Sequence, residues 1–217
     1  MVSYQNDQIV LKQLEKRIVE ITYKSGLSHL SSTLSSLPII YEIYKTKKED
    51  EVFILSNGHA GLALYVIIEF FYGISANYLL GKHGIHPNRC LDDKIYCSTG
   101  SLGSGLPIAV GHALSDRSKM VYCLISDGEC AEGSIWEALA LTNKLGLENL
   151  KVYVNINGLS ATEKIDCVYL MERLNAFLPN KNILHLRYNT SIPVDFTSGV
   201  ESHYHKITDK EYETYVC

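Results

Sequence analysis

Hydrophobic and polar positions run along the 217 residues in two rhythms, one helical and one of short apolar blocks. Over 7–24, Ile9, Leu11, Leu14, Ile18 and Ile21 recur at helical spacing, with lysine and glutamate opposite them, which predicts an amphipathic helix. Gly26 and the serine-rich run SGLSHLSSTLSSL (25–37) end it and lead into a second helix that stops near Lys45. EVFILS (51–56) is short, apolar and followed by Asn-Gly, the pattern of a buried strand. A helix is expected over 60–71, and 81–98, punctuated by Gly, Pro and Asn, reads as irregular. A glycine-rich turn at 100–105 opens a helix of small residues, LPIAVGHALS. Two apolar blocks, KMVYCLIS (119–126) and 151–156, predict strands around a helix at 132–145. NILHLRY (182–188) reads as a last strand and DKEYETYV (209–216) as a terminal helix.

Strand, helix and glycine turn thus alternate through the middle of the chain. The expected fold is α/β, a mainly parallel sheet flanked by helices on both faces. No repeat, linker or composition break divides the chain, so 1–217 reads as one domain. Hydrophobic residues make up 46% and charged residues 20%, with a net charge of −4, so no basic field is available to hold a nucleic-acid backbone. The longest apolar run, GLALYVIIEFFYGI, carries Glu69 and is too short to span a bilayer. Six cysteines form no C-x-x-C pair, and the amino terminus is polar, which together point to a reduced, cytoplasmic protein.

Candidate chemistry enters at two strand ends. Asp127 directly follows one strand and Asn157 the next, with a single helix between them. A right-handed crossover makes such strands parallel neighbours and brings both residues to the carboxyl edge of the sheet, where open α/β sheets bind ligands. A carboxylate beside an amide carbonyl suits Mg²⁺ with open positions for water and phosphate oxygens. Gly128 allows close backbone approach, and a helix starting near Ala131 turns its positive end to the same edge. Taken singly, Ser-Asp-Gly and Ile-Asn-Gly are ordinary turns; their pairing across one strand–helix–strand unit is the signal.

The stretch SDGECAEGSIWEALALTNKLGLENLKVYVNINGL (126–159) resembles the transketolase family of thiamine-diphosphate enzymes, whose motif is Gly-Asp-Gly followed by Asn. The resemblance implies that Asp127, the Asn157 side chain and the Leu159 carbonyl hold the metal, and that Glu132 lies at a subunit interface near the cofactor. Ser126 stands where the family usually has glycine. Four upstream segments match the same family in order: KSGLSHLSSTLSSL with His29, ILSNGHAGLALY with His59, GIHPN with His86, and STGSLGSGLPIAVGHAL with Gly100, Ser101 and Leu102. They imply that His59 bonds a phosphate oxygen, that His29 and His86 contact donor hydroxyls, and that Gly100, Ser101 and Leu102 line the cofactor rings. In the tail ESHYHKITDKEYE, His203 is the residue carried over as a phosphate or substrate contact, with His205 as its rival. Read without the family, each histidine is an ordinary loop residue; His83 and His112 keep that reading.

The implied activity is thiamine-diphosphate-dependent transfer of a ketol unit from a ketose to an aldehyde, on sugars or sugar phosphates. The family's activating glutamate belongs to a second, pyrimidine-binding domain for which no counterpart is visible here. The expected partner is therefore a separate carboxyl-terminal transketolase-like subunit, in a hetero-oligomer with two copies of each chain. The stretch 175–201 is shorter than the family pattern, which usually places a further helix and strand there. Two rival functions are another thiamine-diphosphate enzyme, such as part of a 2-oxo acid decarboxylase or carboligase, and a non-catalytic remnant that only binds a partner.

Overall fold

The computed structural model describes residues 2–160, 162–188 and 204–216. Its elements follow the order α1 (Val2–Ser25), α2 (Leu30–Thr46), β1 (Val52–Leu55), α3 (Gly61–Tyr72), α4 (Ala76–His83), α5 (Gly105–Ser115) and β2 (Val121–Ser126), then α6 (Gly133–Leu145), β3 (Leu150–Ile156), α7 (Cys167–Phe177), β4 (Leu184–Tyr188) and α8 (Asp209–Val216). Among the described residues the strands form one sheet in the order β1-β2-β3-β4, and every neighbouring pair is parallel.

Side chains alternate across this sheet, and both faces are covered. Phe53, Leu55, Tyr122, Leu124 and Tyr153 pack into a core with α1, α2, α3 and α4. Ile54, Val121, Cys123, Ile125, Val152 and Val154 point the other way, into a core with α5, α6 and α7. Double coverage explains why these strands read as continuous apolar runs instead of alternating ones. The α/β architecture with helices on both faces is as expected.

Several local readings change. The serine-rich run is not a break between helices. From Leu30 onward it forms the first turns of α2, with Ser31, Ser32, Thr33, Ser35 and Ser36 buried. Small side chains let α2 lie close to the sheet, where Asn155 Nδ2 on β3 donates to Ser35 Oγ at 2.9 Å. The irregular stretch starts later than 81, because α4 runs to His83. Helix α7 was not anticipated. Leu170 and Leu174, one turn apart, are its buried residues, while Val168, Tyr169 and Phe177 are exposed and blur the amphipathic pattern. Helix α8 folds back onto α1: Tyr23 stacks on Tyr212 at 4.1 Å, and Tyr215 Oη donates to Glu15 Oε2 at 3.2 Å. Among the described residues no helix is long and apolar enough to cross a membrane.

Candidate active site

Parallel strands deliver their carboxyl ends to one edge, and the chain places its polar residues there. β1 is followed by Ser56, Asn57 and a 3₁₀ turn (Gly58–Ala60) carrying His59. β2 ends in Ser126 and leads into Asp127; β3 ends in Ile156 and leads into Asn157. Asp127 is 2% exposed. Its Oδ2 accepts from the backbone N–H groups of Asn157 at 2.9 Å and Gly158 at 2.7 Å, and its Oδ1 from Gly128 N at 3.0 Å. The carboxylate thereby ties the ends of β2 and β3 together. Burial pushes its pKa from the ordinary 3.8 up to about 6, and the backbone donors offset only part of that push. Asn157 Oδ1 accepts from Leu159 N at 3.0 Å, which folds the loop after β3 over the same edge.

These residues open onto a cavity of about 530 Å³. His59, Leu102, Asp127, Gly128, Glu132, Asn157 and Leu159, drawn from four separate segments, all line it. The helix expected near Ala131 begins two residues later. A 3₁₀ turn (Gly128–Ala131) intervenes, and exposed Glu132 takes the N-cap position of α6.

The glycine-rich loop is fixed by close backbone packing. A Cβ on Gly58 would lie 2.7 Å from Gly100 N, so the His59 turn and the 100–103 loop touch through bare backbone. Glu129 makes the other joint. Its Oε1 accepts from Ser56 Oγ at 2.7 Å and Gly103 N at 2.9 Å, and its Oε2 from Ser126 N at 3.0 Å. One fully buried carboxylate thus clamps the ends of β1 and β2 to the loop. Sequence reasoning missed Glu129, because an acid after Asp-Gly reads as part of a solvated turn.

The remaining histidines gather unevenly. His29 is the residue before α2, with a left-handed backbone (φ 64°), and its ring lies 5.5 Å from that of His59. A left-handed non-glycine residue carries strain that commonly marks a functional position. The His86 ring packs against Gly100, where a Cβ would meet it at 3.1 Å. His203 lies outside the described residues. Its rival His205 is engaged at the start of α8, its Nε2 2.9 Å from Glu211 Oε2, while neighbouring Tyr204 meets the His29 ring edge-on at 5.7 Å. His83 pairs in the interior with Asp93 at 2.7 Å, in keeping with a structural reading.

The set fits a magnesium diphosphate. Among the described residues no three His, Cys, Asp or Glu side chains are grouped as a metal centre. One buried carboxylate with an amide oxygen and a carbonyl beside it suits a hard cation that takes its other ligands from phosphate and water. Burial raises the pKa of Asp127 despite its backbone donors, and a divalent ion held there would favour the ionised form.

The family described as "Transketolase, thiamine diphosphate binding domain" matches residues 42–178. One subunit of the apulose-4-phosphate transketolase of Phocaeicola vulgatus is 33% identical over 180 residues, covering 73% of this chain and 63% of that protein. Transketolase of Homo sapiens is 31% identical over 178 residues, covering 71% of this chain but 28% of that protein. The chain therefore spans less than two thirds of either relative. The fold of Campylobacter jejuni transketolase superposes with a TM-score of 0.77 at 18% identity, over 99% of this chain and 42% of that one. With its fold, its strand-end pair and these matches, the chain belongs to the transketolase family, through the thiamine diphosphate binding domain.

Proposed function

We propose that this chain is the diphosphate- and magnesium-binding part of a thiamine-diphosphate-dependent transketolase-like enzyme that moves a ketol unit from a ketose to an aldehyde. The observation that carries the reading is Asp127, a buried carboxylate held at the β2–β3 junction beside Asn157, on a cavity shared with His59 and Leu102. Asp127, Asn157 Oδ1 and the Leu159 carbonyl would hold Mg²⁺. His59 and the backbone after Gly128 would bind the diphosphate, and the 100–102 loop would support the ring. Once bound, the cofactor supplies the electron-accepting ring that no protein side chain offers. His29 and His86 would orient donor hydroxyls and exchange protons with the substrate oxygens, work suited to imidazoles near neutral pH.

We further propose that a separate carboxyl-terminal transketolase-like subunit completes the site, in a complex with two copies of each chain. Glu132 is exposed where the cavity opens, a position suited to an interface beside the cofactor. The relative from Phocaeicola vulgatus is itself named as one subunit of its enzyme, which supports the same reading. The test is reconstitution. Mixed with the companion chain, thiamine diphosphate and Mg²⁺, the protein should elute as one larger species and gain ketol transfer from a ketose but not from pyruvate. Robust turnover by this chain alone, unchanged by the companion, overturns the two-chain assignment.

A further inference from the structure

Leu102 stands exposed on the cavity wall, and the residue that follows it is where its loop is held. Gly103 has a left-handed backbone (φ 76°), and a Cβ there would lie 2.7 Å from Glu132 Cβ and 2.5 Å from Ser134 Oγ. Both polar groups of this residue are engaged. Its N–H donates to Glu129 Oε1 at 2.9 Å, and its carbonyl accepts from Ser134 Oγ at 2.8 Å. The loop therefore hangs between a carboxyl group in the turn after β2 and a hydroxyl in the first turn of α6.

Glu129 is 0% exposed, and burying an acid is costly unless donors surround it. The donors divide between its two oxygens. Oε1 faces Gly103 N and Ser56 Oγ, while Oε2 faces Ser126 N, one residue before Asp127. The two backbone N–H groups can only donate, and they lie on different oxygens. A glutamine of the same shape has one acceptor oxygen and cannot serve both. Ser56 Oγ can reverse its role and accept from an amide NH₂, whereas Gly103 N cannot. The end of β2 is fixed by its ladder on β3, so the loop is the side that yields. A glutamine at 129 would thus keep Ser126 N on its oxygen, turn its nitrogen to Ser56, and leave the Gly103 N–H without an acceptor.

We propose that Glu129 is a positioning residue for the cofactor ring, acting through Gly103 on the loop that carries Leu102, a role that rests on the reading that the cavity takes magnesium thiamine diphosphate. It acts on the ring end and not on the diphosphate end, because Asp127 keeps its own backbone donors Gly128, Asn157 and Gly158. The test is calorimetric titration, in Mg²⁺, of the chain reconstituted with its companion subunit. The ligands are thiamine diphosphate and, separately, inorganic pyrophosphate, which carries the anion without the ring. Wild type, Glu129→Gln and Ser134→Ala are compared. Glu129→Gln should weaken thiamine diphosphate about tenfold, the scale of one buried donor left unsatisfied, and leave pyrophosphate within about twofold. Ser134→Ala, which removes the hold on the Gly103 carbonyl, should weaken thiamine diphosphate about threefold, with pyrophosphate again unchanged. A residue that only stabilised the fold would weaken both ligands alike, and that result overturns the assignment. Unchanged thiamine diphosphate affinity in both variants overturns it too. Where Glu129→Gln does not fold, Ser134→Ala decides by the same ratio of affinities. Wild type that binds the two ligands equally leaves the loop no ring to hold and overturns the positioning role alone. Wild type that binds neither overturns the functional reading with it.

Discussion

The two ends of the sheet use the same residue types and treat them oppositely. At the amino end, Asn149 just before β3 donates through Nδ2 to the carbonyls of Ala113, Asp116 and Lys119 at 2.9, 3.2 and 3.0 Å. Beside it, buried Glu51 just before β1 accepts from Lys48 N at 2.8 Å and Tyr122 Oη at 3.1 Å. At the carboxyl end, Asn57 and Asn155 keep amide oxygens without donors among the described residues, and Asp127 is held against a raised pKa. Amides and carboxylates at the first end are spent on joining loops to strands. At the second, Glu129 is spent in the same way, while Asp127 and Asn157 join strand to loop and also line the cavity.

Asp127 provides the largest expected effect. Its pKa is raised from 3.8 to about 6, so between those values the folded chain binds more protons than the unfolded one. Without ligand, stability should therefore fall as pH rises through that window, by about 3 kcal/mol at most, and level off above it. Denaturant titrations of wild type and Asp127→Ala from pH 4 to 7 isolate this contribution. A wild-type difference that grows with pH contradicts the assignment. Saturating Mg²⁺ and thiamine diphosphate should remove the slope by stabilising the ionised form.

Asn149→Ala should cost about 2 kcal/mol of stability, because three carbonyls lose their shared donor, yet leave cofactor affinity within about twofold. Asp127→Ala should do the reverse for binding and weaken thiamine diphosphate at least about tenfold, the scale of a lost metal-ligand interaction. Calorimetric titrations paired with urea unfolding separate the two. Equal effects of both variants on cofactor binding would erase the distinction between the sheet ends.

The carboxyl end was partly legible in the sequence, for reasons visible in particular residues. Asp127 and Asn157 stood out because each follows an apolar block directly, and parallel pairing then forces them together. Asn155 carried a signal that went unused: it is the polar residue in a strand otherwise apolar on both faces from Val152 to Ile156. Glu129 carried none, since its partners Ser56 and Gly103 are remote in sequence and meet only when β1 and β2 pair. The serine run misled because burying serine against a helix-covered sheet requires asparagine partners that local pattern cannot reveal. Helix α4, eight residues with Gly81 inside, offers too short a period to register.

The smallest expected effects concern the histidines. His59→Ala should weaken cofactor affinity several-fold, whereas His86→Ala should raise the donor KM or lower kcat and leave the cofactor almost untouched. Steady-state kinetics on the reconstituted complex check the split, and the opposite pattern reassigns which histidine faces the phosphate.

The most direct test of the central claim is calorimetric titration of the wild-type chain, reconstituted with its companion subunit, with thiamine diphosphate, once with Mg²⁺ and once with chelator. The carboxyl-edge site predicts one saturable event per chain that weakens at least about tenfold when the metal is removed. No binding under either condition, or binding of equal strength without metal, contradicts it.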